Sequence, residues 1–170
     1  MIVEEQNIIT IAYELREGGS DGELLERMDA NYPFKFYFGS GRLLPAFEQH
    51  LEGLEEGQPF EFILPPEQAY GPVDPRNIIG VPREAFRHLG DNVLVKDNFI
   101  TLTDDNGEAH NGRILSWTED MVQVDFNHAM AGKTLHFSGV VLNIRNATVD
   151  ELIRKNYVEE DGVRGWEEEL

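Results

Sequence analysis

The stretch PPEQAYGP, at residues 65–72, sets one tyrosine among prolines and a glycine. Proline fixes its own φ and glycine accepts tight turns, so Tyr70 would stand on a stiff turn. A phenol held in this way can donate a hydrogen bond in a fixed direction. The same turn would also suit a tyrosine that only packs on the surface, and the pattern leaves both interpretations open.

The chain offers few groups for covalent or metal chemistry. It contains no cysteine, which excludes a thiolate nucleophile, a thiolate metal site and a disulfide. The histidines are dispersed, and no pair of them has the spacing of metal ligands. They are His50, His88, His110, His128 and His136. We therefore expect no metal site and no cofactor.

Large apolar side chains alternate with polar ones along several segments, which is the pattern of strands with one buried face. In residues 8–15, for example, Tyr13 falls on the same face as Ile9, Ile11 and Leu15. Taken alone, the aromatic residues on such faces fit a structural core as well as a pocket. The predicted strands are IITIAYEL (8–15), YPFKFYFG (32–39), QPFEFIL (58–64) and LHFSGVVLNIRNA (135–147).

Two segments between or after these strands predict short helices. In LLPAFEQHLEGLEEG (43–57), Pro45 suits the first helical position and Gly53 can end the helix. In TVDEL (148–152), Thr148 and Glu151 form a capping box. Strands that cover one short helix predict an α+β fold.

Nearly sixty residues separate the Tyr70 turn from the next long strand. Within them, VPREAFRHLG (81–90) predicts helical turns, and DDNG (104–107) and TED (118–120) are good hairpin positions. A structureless loop of this length would be unusual in a compact domain. We therefore predict a small, mostly-β inserted domain over 75–131.

The composition limits the partners and the compartment. The net charge of −18 disfavours nucleic acid as a partner, because an acidic surface repels phosphate backbones. No run approaches the ~18 apolar residues of a membrane span, and the first residues lack the features of a secretory signal. We expect a monomer in the cytoplasm that does not bind membranes.

The segments, in their order, resemble the FKBP-type peptidyl-prolyl cis-trans isomerases. The resemblance rests on PFKFYFG (33–39), LLPAFEQHLEGLEEGQ (43–58) and AYG (69–71). The insertion after AYG, which returns through NHAMAG (127–132) and the closing strand, resembles the SlyD-type branch. The resemblance implies an antiparallel half-barrel around the short helix, formed by 1–74 and 132–156. It also implies that 75–131 is a chaperone domain, and we interpret 157–170 as an acidic, loose tail with Trp166 as its anchor.

The same resemblance implies a pocket that binds proline-containing segments of unfolded or partly folded polypeptides. The residues at the catalytic positions are Tyr70, Tyr13, Phe137 and Glu26. The substrate-binding positions are Leu25, Phe34, Leu43, Leu44 and Phe47, with the backbone N–H of Leu44 facing a substrate carbonyl.

Two departures from the family pattern raise alternatives. Glu26 stands where the family usually has aspartate, which leaves open a non-enzymatic holdase or adaptor that keeps the fold. SlyD-type proteins often end in a metal-binding extension rich in histidine and cysteine, whereas this chain ends in GWEEEL. A metallochaperone function is therefore not supported by the sequence.

Overall fold

The computed structural model describes residues 1–159, apart from the side chain of Asp91. The chain divides into two compact units, of which the second interrupts the first. The first unit comprises Met1–Gly71 and the chain from Gly132 onward, and the second comprises Pro72–Ala131. The second unit begins three residues before the insertion predicted from the sequence.

The described residues form nine strands and two α-helices. In chain order these are β1 (Asn7–Glu17), β2 (Leu24–Met28), β3 (Phe34–Tyr37), α1 (Pro45–Leu51), β4 (Pro59–Leu64), β5 (Ile78–Pro82), β6 (Phe99–Thr103), β7 (Ala109–Trp117), β8 (Met121–Asp125), β9 (Leu135–Asn146) and α2 (Val149–Arg154).

The first unit is an antiparallel sheet with the order β2-β1-β9-β4, and β3 also pairs with β1. Strand β9, the last of the described strands, therefore lies between β1 and β4. Strand β4 alternates between exposed and buried residues, so only one of its faces enters the core. The predicted α+β class, with a second and mostly-β part, is confirmed.

Helix α1 has the bounds that the sequence predicts. It begins at Pro45 and ends at Leu51, with Glu52 as the C-cap residue directly before Gly53. Gly53 has a φ of +85°, a conformation that cannot continue a helix, and its N–H donates to the carbonyl of Val3 at 2.8 Å. The buried residues Phe47 and Leu51 hold the helix on the core.

The capping box at the start of α2 is confirmed and also anchors the helix to the sheet. Thr148 and Glu151 exchange the two expected hydrogen bonds. The fully buried carboxylate of Glu151 also accepts from both Nη atoms of Arg145, at 2.7 and 3.0 Å, and from the N–H of Val158. These bonds to the charged form lower the pKa of Glu151 from 4.5 to about 2, although burial acts in the opposite direction.

The predicted loose tail, 157–170, begins too early in the chain. Tyr157 is buried and packs with Ile8 and Tyr37, because the chain after α2 returns to the sheet. The rest of the predicted tail, residues 160–170 with Trp166, lies outside the described residues.

The second unit is a four-stranded antiparallel sheet with the order β5-β8-β7-β6. Both predicted hairpin turns are present: the N–H of Gly107 donates to the carbonyl of Asp104, and that of Thr118 to the carbonyl of Met121. Strand β5 was not predicted. The segment predicted as helical turns is a 3₁₀ helix over Arg83–Leu89, which ends at Gly90 with a φ of +85°.

Candidate functional site

The first unit contains a group of aromatic rings in mutual contact, with Phe137 at its centre. Phe137 is fully buried, and its ring centroid lies 5.0 Å from that of Phe47, 5.3 Å from Phe62 and 6.0 Å from Tyr13. Tyr13 in turn meets Phe34 edge-on at 6.1 Å. We call these five residues, together with Phe36, the aromatic cluster.

The register of the sheet explains why these rings meet. Residue Phe137 on β9 pairs with Leu15 on β1 and with Phe62 on β4. Tyr13 lies two residues before Leu15, so both point to the same face of β1. Helix α1 places Phe47 on this face, within ring contact of Phe62 and Phe137.

Sequence reasoning missed some members of the cluster. Phe36 stacks on Phe34 at 5.1 Å and contacts Phe47 at 6.1 Å, while Phe62 joins Phe47 to Phe137. The imidazole of His50 stacks on Phe62 with a centroid distance of 4.4 Å and an angle of 5°. The sequence predicts only that Phe62 lies on the inner face of β4. Its contacts within the cluster depend on the pairing of β4 with β9.

The two leucines before α1 differ in burial. Leu43 is buried, whereas Leu44 is half-buried and is the N-cap residue, whose carbonyl accepts the N–H of Glu48 at 3.2 Å. The carboxylate of Glu48 accepts the N–H of Gly39 at 2.8 Å, which fixes the loop before the helix. Burial raises the pKa of Glu48, and this hydrogen bond lowers it by less.

Leu25 and Glu26 are both half-buried on β2. Glu26 pairs with Leu15, so its side chain leaves the sheet on the face that carries Tyr13. The register shifts at the next position, where Arg16 pairs with Leu24, and Leu25 is the extra residue of this bulge.

Tyr70 lies on the tight turn expected from its sequence. A 3₁₀ helix, Pro66–Gln68, precedes it, and the carbonyl of Pro66 accepts the N–H groups of both Ala69 and Gly71. Gly71 has a φ of +75°, a value that favours glycine at this position. Tyr70 itself is half-buried.

A cavity of about 460 Å³ opens beside the aromatic cluster. It shares only Phe34 with the residues predicted for the pocket, so it is a neighbouring cavity rather than the predicted one. Its lining residues are Met28, Asn31, Tyr32, Pro33, Phe34, Lys35, Tyr157 and Glu159.

One group of side chains in the second unit has ligand atoms close enough to hold a metal ion. The ligand atoms of Asp104, Glu108 and His110 lie within 4.8 Å of one another, because β6 and β7 pair across this hairpin. All three residues are exposed. Asp104 already accepts hydrogen bonds from the N–H groups of Asn106 and Glu108, and His110 Nε2 lies 2.8 Å from its other oxygen. These hydrogen bonds stabilise the turn, so the three residues alone do not define a metal site.

Comparison with known proteins identifies the class of this chain. Residues 2–94 match the family model described as FKBP-type peptidyl-prolyl cis-trans isomerase. The chain belongs to this family.

No helix among residues 1–159 is long and apolar enough to cross a membrane.

The similar proteins share a more specific name, FKBP-type peptidyl-prolyl cis-trans isomerase SlyD. The protein from Haemophilus influenzae is 34% identical over 152 residues, which cover 89% of this chain and 77% of the relative. The Aeromonas hydrophila protein is 33% identical, covering 89% and 69% respectively. The Escherichia coli K12 protein is 32% identical, covering 89% and 75%. The chain is therefore of the SlyD type, and it is a peptidyl-prolyl cis-trans isomerase.

Proposed function

We propose that the aromatic cluster of the first unit binds proline-containing segments of unfolded or partly folded polypeptides and accelerates rotation of the bond before proline. The observation that carries this proposal is the contact among four aromatic rings, those of Tyr13, Phe34, Phe47 and Phe137. Tyr13 contacts Phe34 and Phe137, Phe137 contacts Phe47, and Phe36 lies between Phe34 and Phe47. The ring centroids in these contacts are 5.0–6.1 Å apart. Four side chains from four different elements converge there.

The chemistry requires a site that prefers a twisted bond to a planar one. Rotation about a peptide bond costs roughly 18–20 kcal/mol, because twisting removes the amide resonance. The planar imide has a large dipole that water solvates, whereas the twisted form has lost that charge separation. An apolar, water-poor surface therefore favours the twisted form, and no nucleophile or metal is needed.

Each candidate residue has a distinct role in this proposal. Six apolar side chains surround the proline ring in this proposal: those of Tyr13, Phe34, Phe47, Phe137, Leu25 and Leu43. The Tyr70 hydroxyl and the N–H of Leu44 donate hydrogen bonds to substrate carbonyls, so that one side of the bond stays fixed while the other rotates. Glu26 provides the carboxylate that the family usually carries on aspartate.

The second unit has the properties of a surface that holds unfolded chains. Large apolar side chains on it are strongly exposed, including Phe99 at 64% and Val95 at 55%. Such surfaces bind apolar segments of other proteins. A polypeptide held by the second unit would reach the first unit at a high effective concentration, because both binding sites belong to one chain.

We place this activity in the cytoplasm, with the protein acting as a monomer. The net charge of −18 supports a monomer, because strong like charge keeps proteins apart. The same charge repels nucleic acid, so the substrates in this proposal are polypeptides.

A protease-coupled assay on a short peptide with one proline tests the isomerase function. The wild-type protein should accelerate cis-to-trans conversion in proportion to its concentration. Tyr70→Phe should lower kcat/KM by about 3- to 10-fold, because it removes one hydrogen-bond donor. Tyr32→Phe is the matched control, since Tyr32 is 80% exposed, and it should leave the rate unchanged. A wild-type rate equal to that of the uncatalysed reaction would instead favour the holdase alternative.

A further inference from the structure

A glycine lies in the middle of β9, next to the centre of the aromatic cluster. Gly139 is two residues beyond Phe137 and therefore lies on the same face of the strand. It pairs with Tyr13 on β1 and with Phe60 on β4, so these three residues form a row across the sheet. Glycine weakens a strand interior, and such a position often marks a close approach of neighbouring groups.

Space, rather than backbone conformation, is the reason for a glycine at this position. Gly139 does not have a positive φ, so its backbone conformation does not require glycine. A Cβ atom at 139, however, would collide with the carbonyl oxygen of Ala12 and would lie 2.9 Å from Tyr13 Cα. It would also lie 2.7 Å from Phe60 Cζ, which shows that the Phe60 ring fills the space over the glycine.

We propose that Gly139 is a positioning residue for the isomerase site, acting through Tyr13. The absent side chain lets β1 approach β9 closely, and this approach sets the depth at which the Tyr13 ring meets Phe34 and Phe137. The proposal rests on the proposed role of Tyr13 in the aromatic cluster.

The contacts at Gly139 determine how a methyl group at this position would act. Of the three nearest groups, two belong to the backbone of β1, at Ala12 and Tyr13, and a backbone cannot rotate away as a side chain can. The strand must therefore move, and Tyr13 moves with it. A displacement of about 1 Å at an active site can lower a rate by up to about 100-fold.

The test combines Gly139→Ala with a variant of Tyr13. In the peptide assay, Gly139→Ala should lower kcat by about 10-fold and change KM by less than about 2-fold. In a Tyr13→Leu background, which has already lost the ring, the same methyl group should lower kcat by less than about 2-fold. All rates are measured well below the thermal midpoint of each variant, with near-ultraviolet circular dichroism to confirm folding.

Gly112→Ala is the matched control, because it adds the same methyl group to a crowded glycine in a strand of the second unit. A Cβ at 112 would lie 2.5 Å from Val124 Cγ1 and 3.0 Å from Phe126 Cε1. This variant should lose stability but keep the peptide rate within about 2-fold, since it is remote in sequence and belongs to the other unit.

Gly139→Ala in a Phe60→Leu background keeps the inference testable if Gly139→Ala alone does not fold. The smaller side chain removes the contact with Phe60 Cζ while both contacts with β1 remain, so the loss of kcat should persist and should again shrink in the Tyr13→Leu background. If the loss of kcat were equal with and without the Tyr13 ring, or if neither variant lowered kcat, the inference would be overturned, whereas the isomerase function would stand. An inactive wild-type protein would remove that function and the inference together.

Discussion

The two units of this chain differ in the size of their buried cores. The first unit buries Tyr13, Phe34, Phe47 and Phe137 to at most 2% exposure, although it also exposes large apolar residues such as Tyr32 and Ile153. The second unit has a small buried core, made of Phe86, Ile100, Ile114, Val122 and Val124. Its exposed large apolar residues are Val73, Ile78, Ile79, Leu89, Val95, Phe99, Trp117 and Met121, with exposures from 37% to 64%.

This difference follows from size and points to a division of tasks. A domain of about sixty residues buries only about 60% of the surface that its unfolded chain exposes. The second unit is of this size, so apolar side chains remain available to bind another polypeptide. The first unit instead packs its aromatic side chains against one another around Phe137.

The largest expected effect comes from truncating one core ring in each unit. Phe137→Ala should destabilise the first unit by about 3–5 kcal/mol, because it leaves a cavity among Tyr13, Phe47 and Phe62. Phe86→Ala should destabilise the second unit by a similar amount and leave peptide turnover intact. Urea unfolding followed by circular dichroism, together with the peptide assay, checks both expectations.

Phe137→Leu distinguishes a loss of peptide turnover from a loss of stability. It keeps much of the buried volume and should cost less than about 1.5 kcal/mol, yet it removes the ring. A loss of turnover in this variant supports a direct role for the ring. If Phe86→Ala and Phe137→Ala shifted one common transition equally, the two units would not be independent.

A second large effect should appear in the first unit in acid. The pKa of Glu151 is lowered from 4.5 to about 2 in the folded state, so its contribution is present above pH 4.5 and is lost as the pH falls toward 2. This contribution is on the order of 3 kcal/mol for the first unit. Urea midpoints measured between pH 6 and 2 would show the loss.

Two substitutions on α2 test whether Glu151 is the cause. Glu151→Gln should lower stability at neutral pH and flatten its dependence on pH, because Arg145 loses a carboxylate partner. Asp150→Asn is the control: its ion pair with Arg154 is about half exposed, so it should cost less than about 1 kcal/mol. An unchanged pH profile in Glu151→Gln would contradict this assignment.

Local patterns made much of the fold predictable. Strand β1 alternates between buried and half-buried residues from Ile9 onward, and β4 alternates between exposed and buried ones, so the sequence predicts each strand and its inner face. The capping box at Thr148 and the two hairpin turns of the second unit depend only on neighbouring residues. The family resemblance then supplied the roles of the site residues, which alternation alone could not.

Features that depend on distant pairing were not predictable. Strand β5 contains a glycine and ends in proline, and it is a strand because β8 pairs with it. The place of Phe62 in the cluster depends on the register of β4 against β9, and the burial of Tyr157 depends on Ile8 and Tyr37. No local signal in the sequence reports these contacts.

Removing the second unit should reveal how much each activity depends on it. The carbonyl of Gly71 accepts the N–H of Gly132 at 2.7 Å, so a short loop can replace residues 73–130. Peptide turnover should stay within about 2-fold, whereas acceleration of a proline-limited protein refolding reaction should fall by about 100-fold, because the effective concentration of substrate is lost. Equal losses in the two assays would contradict the division of tasks.

The smallest expected effect identifies which part of the second unit binds substrate. Phe99 is 64% exposed, so Phe99→Ser should change stability by only about 0.5 kcal/mol. It should lower the acceleration of protein refolding by about 2- to 5-fold and leave peptide turnover unchanged, because only a long substrate uses this surface. Ile153→Ser is the matched control, since Ile153 is 76% exposed but belongs to α2 in the first unit. If both variants reduced refolding equally, exposed apolar area in general would explain the binding, and the second unit would have no special role.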